Sequence, residues 1–252
     1  MNISHLPEIS DLIRSADGFL SDLEQMDAGH DEAVLLRVRY DLTRFEPSLF
    51  TALEIPCPAK LITAVEKRRG EFLAGRAMAK AALCLLGLEA QEIPIGPDRA
   101  PIWPAGTIGS ISHARGHAAA IVMRAGEARH LGADIEAYAS PRAQAAIAKI
   151  ALTDTDRAVL QGYDNLPAAH LAALIFSAKE TLFKALYPVV RAHFGFDAAS
   201  LAAPPEGGRL ALRLTRDLHP TLLKGAEFNL RYALRDDFLV TWLISLMCQT
   251  DA

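Results

Sequence analysis

HLGADIE, residues 130–136, is the stretch on which the reading of this chain turns. As a strand it sends successive side chains to opposite faces, so Asp134 and Glu136 share one face while Ile135 points to a core. Their Cα atoms then stand about 6–7 Å apart. Two carboxylates on one face suit a hard divalent ion such as Mg²⁺, which takes oxygen ligands and keeps several waters. A pair of solvated acids at a strand end fits the same pattern, so the pair needs company before it means anything.

Working outward, Pro141 opens a helical half. Residues 142–151 and 153–161 read as short helices, the second capped by Thr153 or Asp154. A long helix is expected from about Pro167 to Tyr187, stopped by Pro188. Beyond it lie three strand candidates, 209–214, 227–235 and 238–246; Phe228, Leu230, Tyr232 and Leu234 alternate with polar residues as a half-exposed antiparallel strand should. Upstream, 117–124 (HAAAIVMR) is an apolar run of buried-strand type, and the Pro- and Gly-rich 94–110 reads as loop. Pro56 and Pro58 introduce a helical stretch running to Leu86, with Gly87 placed to end it. Residues 33–42 alternate as a strand. Helices and strands in separate runs imply an α+β fold, with a seam near 125–131 dividing the chain into halves 1–128 and 129–252.

Composition narrows the class. At 252 residues, 51% hydrophobic and 22% charged, the chain is that of an ordinary soluble globular protein. No apolar run is long enough to span a bilayer, and Met1–Leu20 lacks a basic start with a long apolar stretch, so neither membrane insertion nor secretion is expected. Cys57, Cys84 and Cys248 are far apart and lack metal-ligand spacing, as expected of reduced thiols in the cytoplasm. The net charge of −4 argues against nucleic acid as the partner of the whole surface. A local basic stretch is present all the same: Lys67, Arg68, Arg69, Arg76 and Lys80.

Three further segments carry candidate chemistry. In the long helix, Leu171, Leu174, Ile175, Ala178, Leu182 and Leu186 form one apolar stripe. Glu180 and Lys184 lie on the other side, about 40° apart, and Lys179 sits nearer the apolar edge. They are either an exposed i, i+4 ion pair or a third carboxylate beside a phosphate-binding lysine. In KRRGEFLAGR (67–76), arginines reaching one side suit a ligand with several phosphates, because the guanidinium fork matches phosphate oxygens. Arg99 could add another cation. Gly109-Ser110-Ile111-Ser112-His113, placed between the loop and a buried strand, could bind phosphate through backbone N–H, hydroxyl and imidazole. A Ser–His hydrolase is disfavoured: no G-x-S-x-G elbow is present, and Ser112 and His113 are adjacent, whereas triad members meet from separate segments.

KRRGEFLAGR, PIWPAGTIGSISH, LGADIE and FSAKETLFKALYP follow one another in an order that resembles the Sfp/EntD-type 4′-phosphopantetheinyl transferases, most closely the EntD-like branch that serves siderophore and related synthetases. The resemblance covers roughly residues 60–190. It implies an α+β fold of two pseudo-symmetric halves with the active site in the cleft between them: an N-terminal half carrying a coenzyme A-binding basic helix and Ser-His loop, and a C-terminal half carrying the metal site. It implies a holo-acyl-carrier-protein synthase-type enzyme that moves phosphopantetheine from coenzyme A to a serine of an acyl, peptidyl or aryl carrier protein. Asp134, Glu136 and Glu180 would hold Mg²⁺ or Mn²⁺, with Glu180, directly or through a metal-bound water, as base. Lys184 would contact phosphate, and Lys179, Arg68, Arg76, Arg99, Ser112 and His113 would hold coenzyme A. Phe176 stands where many relatives have Trp, which reads as packing variation. A cytoplasmic monomer is expected. The rival readings are a non-catalytic coenzyme A or carrier-protein binding module of the same fold, a nucleic-acid binder using the basic helix, and a Mg²⁺-dependent diphosphate hydrolase.

Overall fold

The computed structural model describes residues 7–246, apart from 90, 127 and 139; Cys248 lies outside the described residues. Two compact units, Met1–Glu127 and Ala128–Ala252, each have their own apolar core.

The first unit contains α1 (Pro7–Ser15), β1 (Leu20–Met26), β2 (Ala33–Tyr40), the short α2 (Leu49–Ala52) and α3 (Ala59–Ile62), α4 (Glu66–Leu85), β3 (Thr107–Ala114) and β4 (His117–Arg124). Its antiparallel sheet runs β1-β2-β4-β3. α4 packs on β2, β4 and β3. Leu73, Met78 and Leu83 are fully buried in one cluster with Leu36, Val38 and Val122, each such side chain contributing about 1.5–3 kcal/mol. A Cβ on Gly75 would stand 2.8 Å from the Ile111 side chain, so glycine is what lets α4 sit this close to β3.

Two expectations change here. The helix expected to run unbroken from the prolines to Leu86 is interrupted: Val65 is extended (φ −58°, ψ 148°) and α4 starts only at Glu66. Ile62, Thr63 and Val65 are β-branched and resist helix, while Glu66 favours a helix start. GSISH is not a loop but the body of β3, paired with β4 along its whole length. Its glycine signals packing: a Cβ on Gly109 would meet the Trp103 ring at 2.4 Å.

The second unit contains β5 (Ala128–Ala137), α5 (Pro141–Ala151), α6 (Asp154–Val159), α7 (Ala168–Val190), β6 (Ala199–Leu201), β7 (Arg209–Leu214), β8 (Glu227–Leu234) and β9 (Phe238–Leu246). Its antiparallel sheet runs β5-β9-β8-β7-β6, and α7 packs on β5 and β9. Thr153 caps α6 in a capping box with Asp156. Pro188 does not stop α7, which continues to Val190 and ends at Arg191 in the left-handed region (φ 53°). An exposed proline in the last turn forfeits only one helical hydrogen bond near an end that is already fraying. Each unit thus sets one long helix on an antiparallel sheet, an α+β arrangement. Among the described residues no helix is long and apolar enough to cross a membrane.

His130 on β5 is buried, with its ring edge-on to Phe228 at 6.0 Å. Its ring bonds the Ala185 carbonyl of α7, and Nδ1 has no partner among the described residues. Burial, helped by the charge of Arg129, holds its pKa below the ordinary 6.5 against the opposing Ala185 bond. Protonation therefore favours the unfolded chain: the contribution is complete above about pH 6.5 and is lost as pH falls below it. Unfolding free energy in urea should fall between about pH 7 and pH 5 more steeply for the parent than for His130→Gln. Equal slopes would clear His130 of the effect.

Candidate active site

In the first unit, Gly75 brings α4 down onto β3 and thereby Arg68 onto His113. Arg68 Nη1 stands 3.1 Å from His113 Nε2. Glu71, one helical turn on and nearly buried, lies among them: its carboxylate is 4.0 Å from Arg68, 3.8 Å from His113 Nδ1 and 3.9 Å from Lys67. Glu71 was not singled out by the sequence, since one acid in a basic helix looks like ordinary surface charge. Ser112 does not join His113. Adjacent residues on a strand point to opposite faces, and while His113 reaches α4, the Ser112 side chain is buried on the other face.

Arg76 lies two turns beyond Arg68. Its Nε donates to the Ile93 carbonyl at 2.7 Å and its guanidinium lies 4.7 Å over the Phe72 ring. Burial, with Arg68 nearby, lowers its pKa to about 10, so it remains cationic at neutral pH. It lines a cleft of about 250 Å³ with Phe72, Lys80, Glu54 and Glu92. Lys80 is held there by Glu54 Oε2 at 2.9 Å and the Leu53 carbonyl at 3.1 Å. Arg99 sits exposed on the turn at 96–100 with a left-handed backbone (φ 70°).

In the second unit the glycine of LGADIE does for β5 what Gly75 does for α4. A Cβ on Gly132 would lie 2.3 Å from the Thr181 carbonyl, so α7 can sit directly on the strand. Asp134, two residues on and on the same face, then receives Lys184: Nζ stands 2.6 Å from Oδ1 and 3.3 Å from the Ala133 carbonyl. Glu180, one turn before Lys184, is half-buried. Burial, and next the charge of Asp134, push its carboxyl above the ordinary range, against the pull of Lys184 and His193. Glu136 is half-buried at the end of β5.

These are all-oxygen donors of the kind a hard divalent ion takes, and Mg²⁺ is commonly bound by one or two carboxylates with water and substrate phosphate. The three-carboxylate convergence expected of Asp134, Glu136 and Glu180 is not built as a closed cage: among the described residues no three His, Cys, Asp or Glu are arranged to hold an ion. Asp134 is paired with the ammonium of Lys184. The donor set fits an ion completed by substrate oxygens rather than one enclosed by protein.

Lys179, expected to touch coenzyme A, is turned the other way. It is buried, and its Nζ donates to Asp156 Oδ2 at 2.6 Å and the Ala151 carbonyl at 2.9 Å. Beside Glu180 opens a cleft of about 190 Å³ lined by Phe183, His193, Phe194 and Phe196. Nothing in the sequence pattern marks it, because Phe183 stands on α7 while His193, Phe194 and Phe196 follow that helix in a segment without periodicity. Phe176 packs on Phe196, ring centroids 5.2 Å apart.

Carboxylates and a lysine gathered on one sheet face, with arginines and a histidine on another, define a class of protein that handles phosphorylated ligands. Comparison with known proteins makes this specific. A family model described as the 4′-phosphopantetheinyl transferase N-terminal domain matches residues 58–123, and one described as the 4′-phosphopantetheinyl transferase superfamily matches 130–240. The chain is 40% identical over 188 residues to the 4′-phosphopantetheinyl transferase Svp of Streptomyces mobaraensis, covering 73% of this chain and 74% of that one. It is 36% identical to enterobactin synthase component D of Salmonella typhi, over 66% of this chain and 69% of that one. To the 4′-phosphopantetheinyl transferase PptT of Mycobacterium tuberculosis it is 32% identical, over 65% and 73% respectively. The chain belongs to the 4′-phosphopantetheinyl transferase superfamily and is a transferase of that type.

Proposed function

We propose that this protein transfers the 4′-phosphopantetheine arm of coenzyme A to a serine of an acyl, peptidyl or aryl carrier protein, in siderophore or other nonribosomal peptide or polyketide assembly. The observation that carries this reading is Asp134 on β5 paired with Lys184 on α7 at 2.6 Å, with Glu180 one turn before Lys184 on the same helix. Residues 129–252 serve the reacting diphosphate, and residues 1–128 serve the nucleotide end through Arg68, Arg76, Arg99 and His113. Lys179 is left with a structural part.

In the reaction the serine oxygen forms a new bond to the β-phosphorus while the bond from that phosphorus to the bridging oxygen breaks. The bridging oxygen departs with adenosine 3′,5′-bisphosphate. Glu180 accepts the serine proton, its burial having raised its proton affinity toward what a general base needs. Lys184 meets the non-bridging oxygens, where charge accumulates. Mg²⁺ or Mn²⁺ on Asp134, Glu136 and Glu180 would supply Lewis-acid stabilisation of the diphosphate.

Mass spectrometry of a panel of purified carrier domains, after incubation with coenzyme A and Mg²⁺, tests the reading: one serine should gain phosphopantetheine. Binding of coenzyme A with no carrier modified would favour a binding module, and release of free phosphopantetheine a hydrolase.

The nucleotide end has its own test. Arg68→Gln should weaken coenzyme A by about 10- to 100-fold, the worth of a charge-assisted hydrogen bond, yet bind dephospho-coenzyme A about as well as the parent does. Calorimetric titration that finds equal losses for both ligands would give Arg68 some role other than the 3′-phosphate.

A further inference from the structure

Three hydroxyls lie beneath the candidate site in a region otherwise packed with leucine and alanine. Ser177, Thr181 and Thr241 are each fully buried. Thr241 Oγ1 stands 2.8 Å from Ser177 Oγ and 2.6 Å from Thr181 Oγ1, and Thr181 Oγ1 also donates to the Thr241 carbonyl at 3.2 Å. Thr241 on β9 is the cross-strand partner of Asp134 on β5, so their side chains are neighbours on one sheet face. Ser177 and Thr181 are one turn apart on α7 and bracket Glu180, and Lys184 follows a turn later.

We infer that this hydroxyl cluster sets the register of α7 on β5 and β9, making Thr181 and Thr241 positioning residues for the transfer reaction. Apolar side chains attract without direction and tolerate sliding or rotation of a helix. Buried hydroxyls do not, because any displacement that parts them leaves polar groups without water or partner. Gly132 supplies the close approach; the hydroxyls decide where along the strand it happens. The side chains that depend on the outcome are Glu180 and Lys184, whose distance from Asp134 follows from the seat of α7.

The reaction affected is the one proposed above, so the test has one arm that needs activity and one that does not. Thr181→Val keeps the volume and removes the hydroxyl; it should lower kcat by about 10- to 100-fold, the scale of a misplacement near 1 Å, with KM for coenzyme A little changed. Thr181→Ser, which keeps the hydroxyl, should restore kcat. The triple variant Ser177→Ala, Thr181→Val, Thr241→Val leaves no hydroxyl unsatisfied and should recover thermal stability without recovering kcat. Activity that instead returns with stability would reduce the cluster to packing and overturn the inference. The second arm is a crystal structure of the triple variant, in which Asp134 Oδ1 and Lys184 Nζ should have parted. Finding them still within about 3 Å overturns the inference even if the parent modifies no carrier, an outcome that would count against the transfer reaction alone.

Discussion

Glu180→Gln is expected to remain folded and to lose about 10²- to 10⁴-fold in the rate of phosphopantetheine transfer, the usual worth of a positioned general base. The amide has the shape of the carboxylate and fills the same half-buried position on α7, so packing should not change. What disappears is the proton acceptor and one negative oxygen donor. Stability should move the other way. In the parent, burial and the neighbouring Asp134 both oppose the ionised carboxylate, and only Lys184 and His193 favour it. A neutral amide escapes both penalties, so the variant should melt at or above the parent temperature, as expected where a site trades stability for activity. Single-turnover assays with labelled coenzyme A and thermal unfolding together make the check. A rate within about fivefold of the parent would remove Glu180 as base, and a large drop in melting temperature would mean that its charge supports the fold.

The parts of the fold legible in the sequence are those whose own pattern determines them. β4 is an apolar run buried on both faces, and the first half of β8 alternates between buried Phe228 and Leu230 and exposed Glu227 and Asn229, so each announces its type. α7 carries a complete apolar stripe and accordingly lies against β5 and β9. β1 (LSDLEQM) carries three acidic or amide side chains and becomes a strand because β2 pairs with it; β6 is only three residues long and exists through β7. The site divides along the same line. The motif order led to Arg68 and His113, which stand 3.1 Å apart, and to Asp134 and Lys184, paired at 2.6 Å. It did not lead to Glu71, Asp156 or Thr241. Their partners lie on other elements, fixed by how a helix seats on a sheet, and periodicity reveals which face a residue occupies without revealing what it meets there. Lys179 shows the cost: its place beside Glu180 in the motif suggests a ligand contact, whereas its position at the apolar edge of the helix takes it into the core.

That inward turn makes Asp156 the residue whose loss should harm the fold most. Asp156→Ala is expected to cost about 3–5 kcal/mol, the range for removing one partner of a buried ion pair. Asp156 is fully buried. Oδ2 accepts from Lys179 Nζ at 2.6 Å, from Thr153 N at 2.8 Å and from Thr153 Oγ1 at 2.7 Å, and Oδ1 accepts from Leu201 N at 2.7 Å. One carboxylate thus joins the start of α6, the middle of α7 and the β6 edge of the sheet. Its removal leaves an ammonium inside the protein with the Ala151 carbonyl as acceptor and the charge of Asp197 farther off, and burial already lowers the pKa of Lys179 even with Asp156 present. The reverse substitution should be milder. Lys179→Met fills similar space with apolar atoms and leaves the carboxylate three donors, so its cost should be clearly the smaller of the two. Because a domain of this kind is stable by only about 5–15 kcal/mol, Asp156→Ala should unfold at markedly lower urea than either the parent or Lys179→Met. If the two variants unfolded together, the lysine would be the essential member and the carboxylate a mere counter-ion; if Asp156→Ala matched the parent, the buried bonds around it would hold nothing in place.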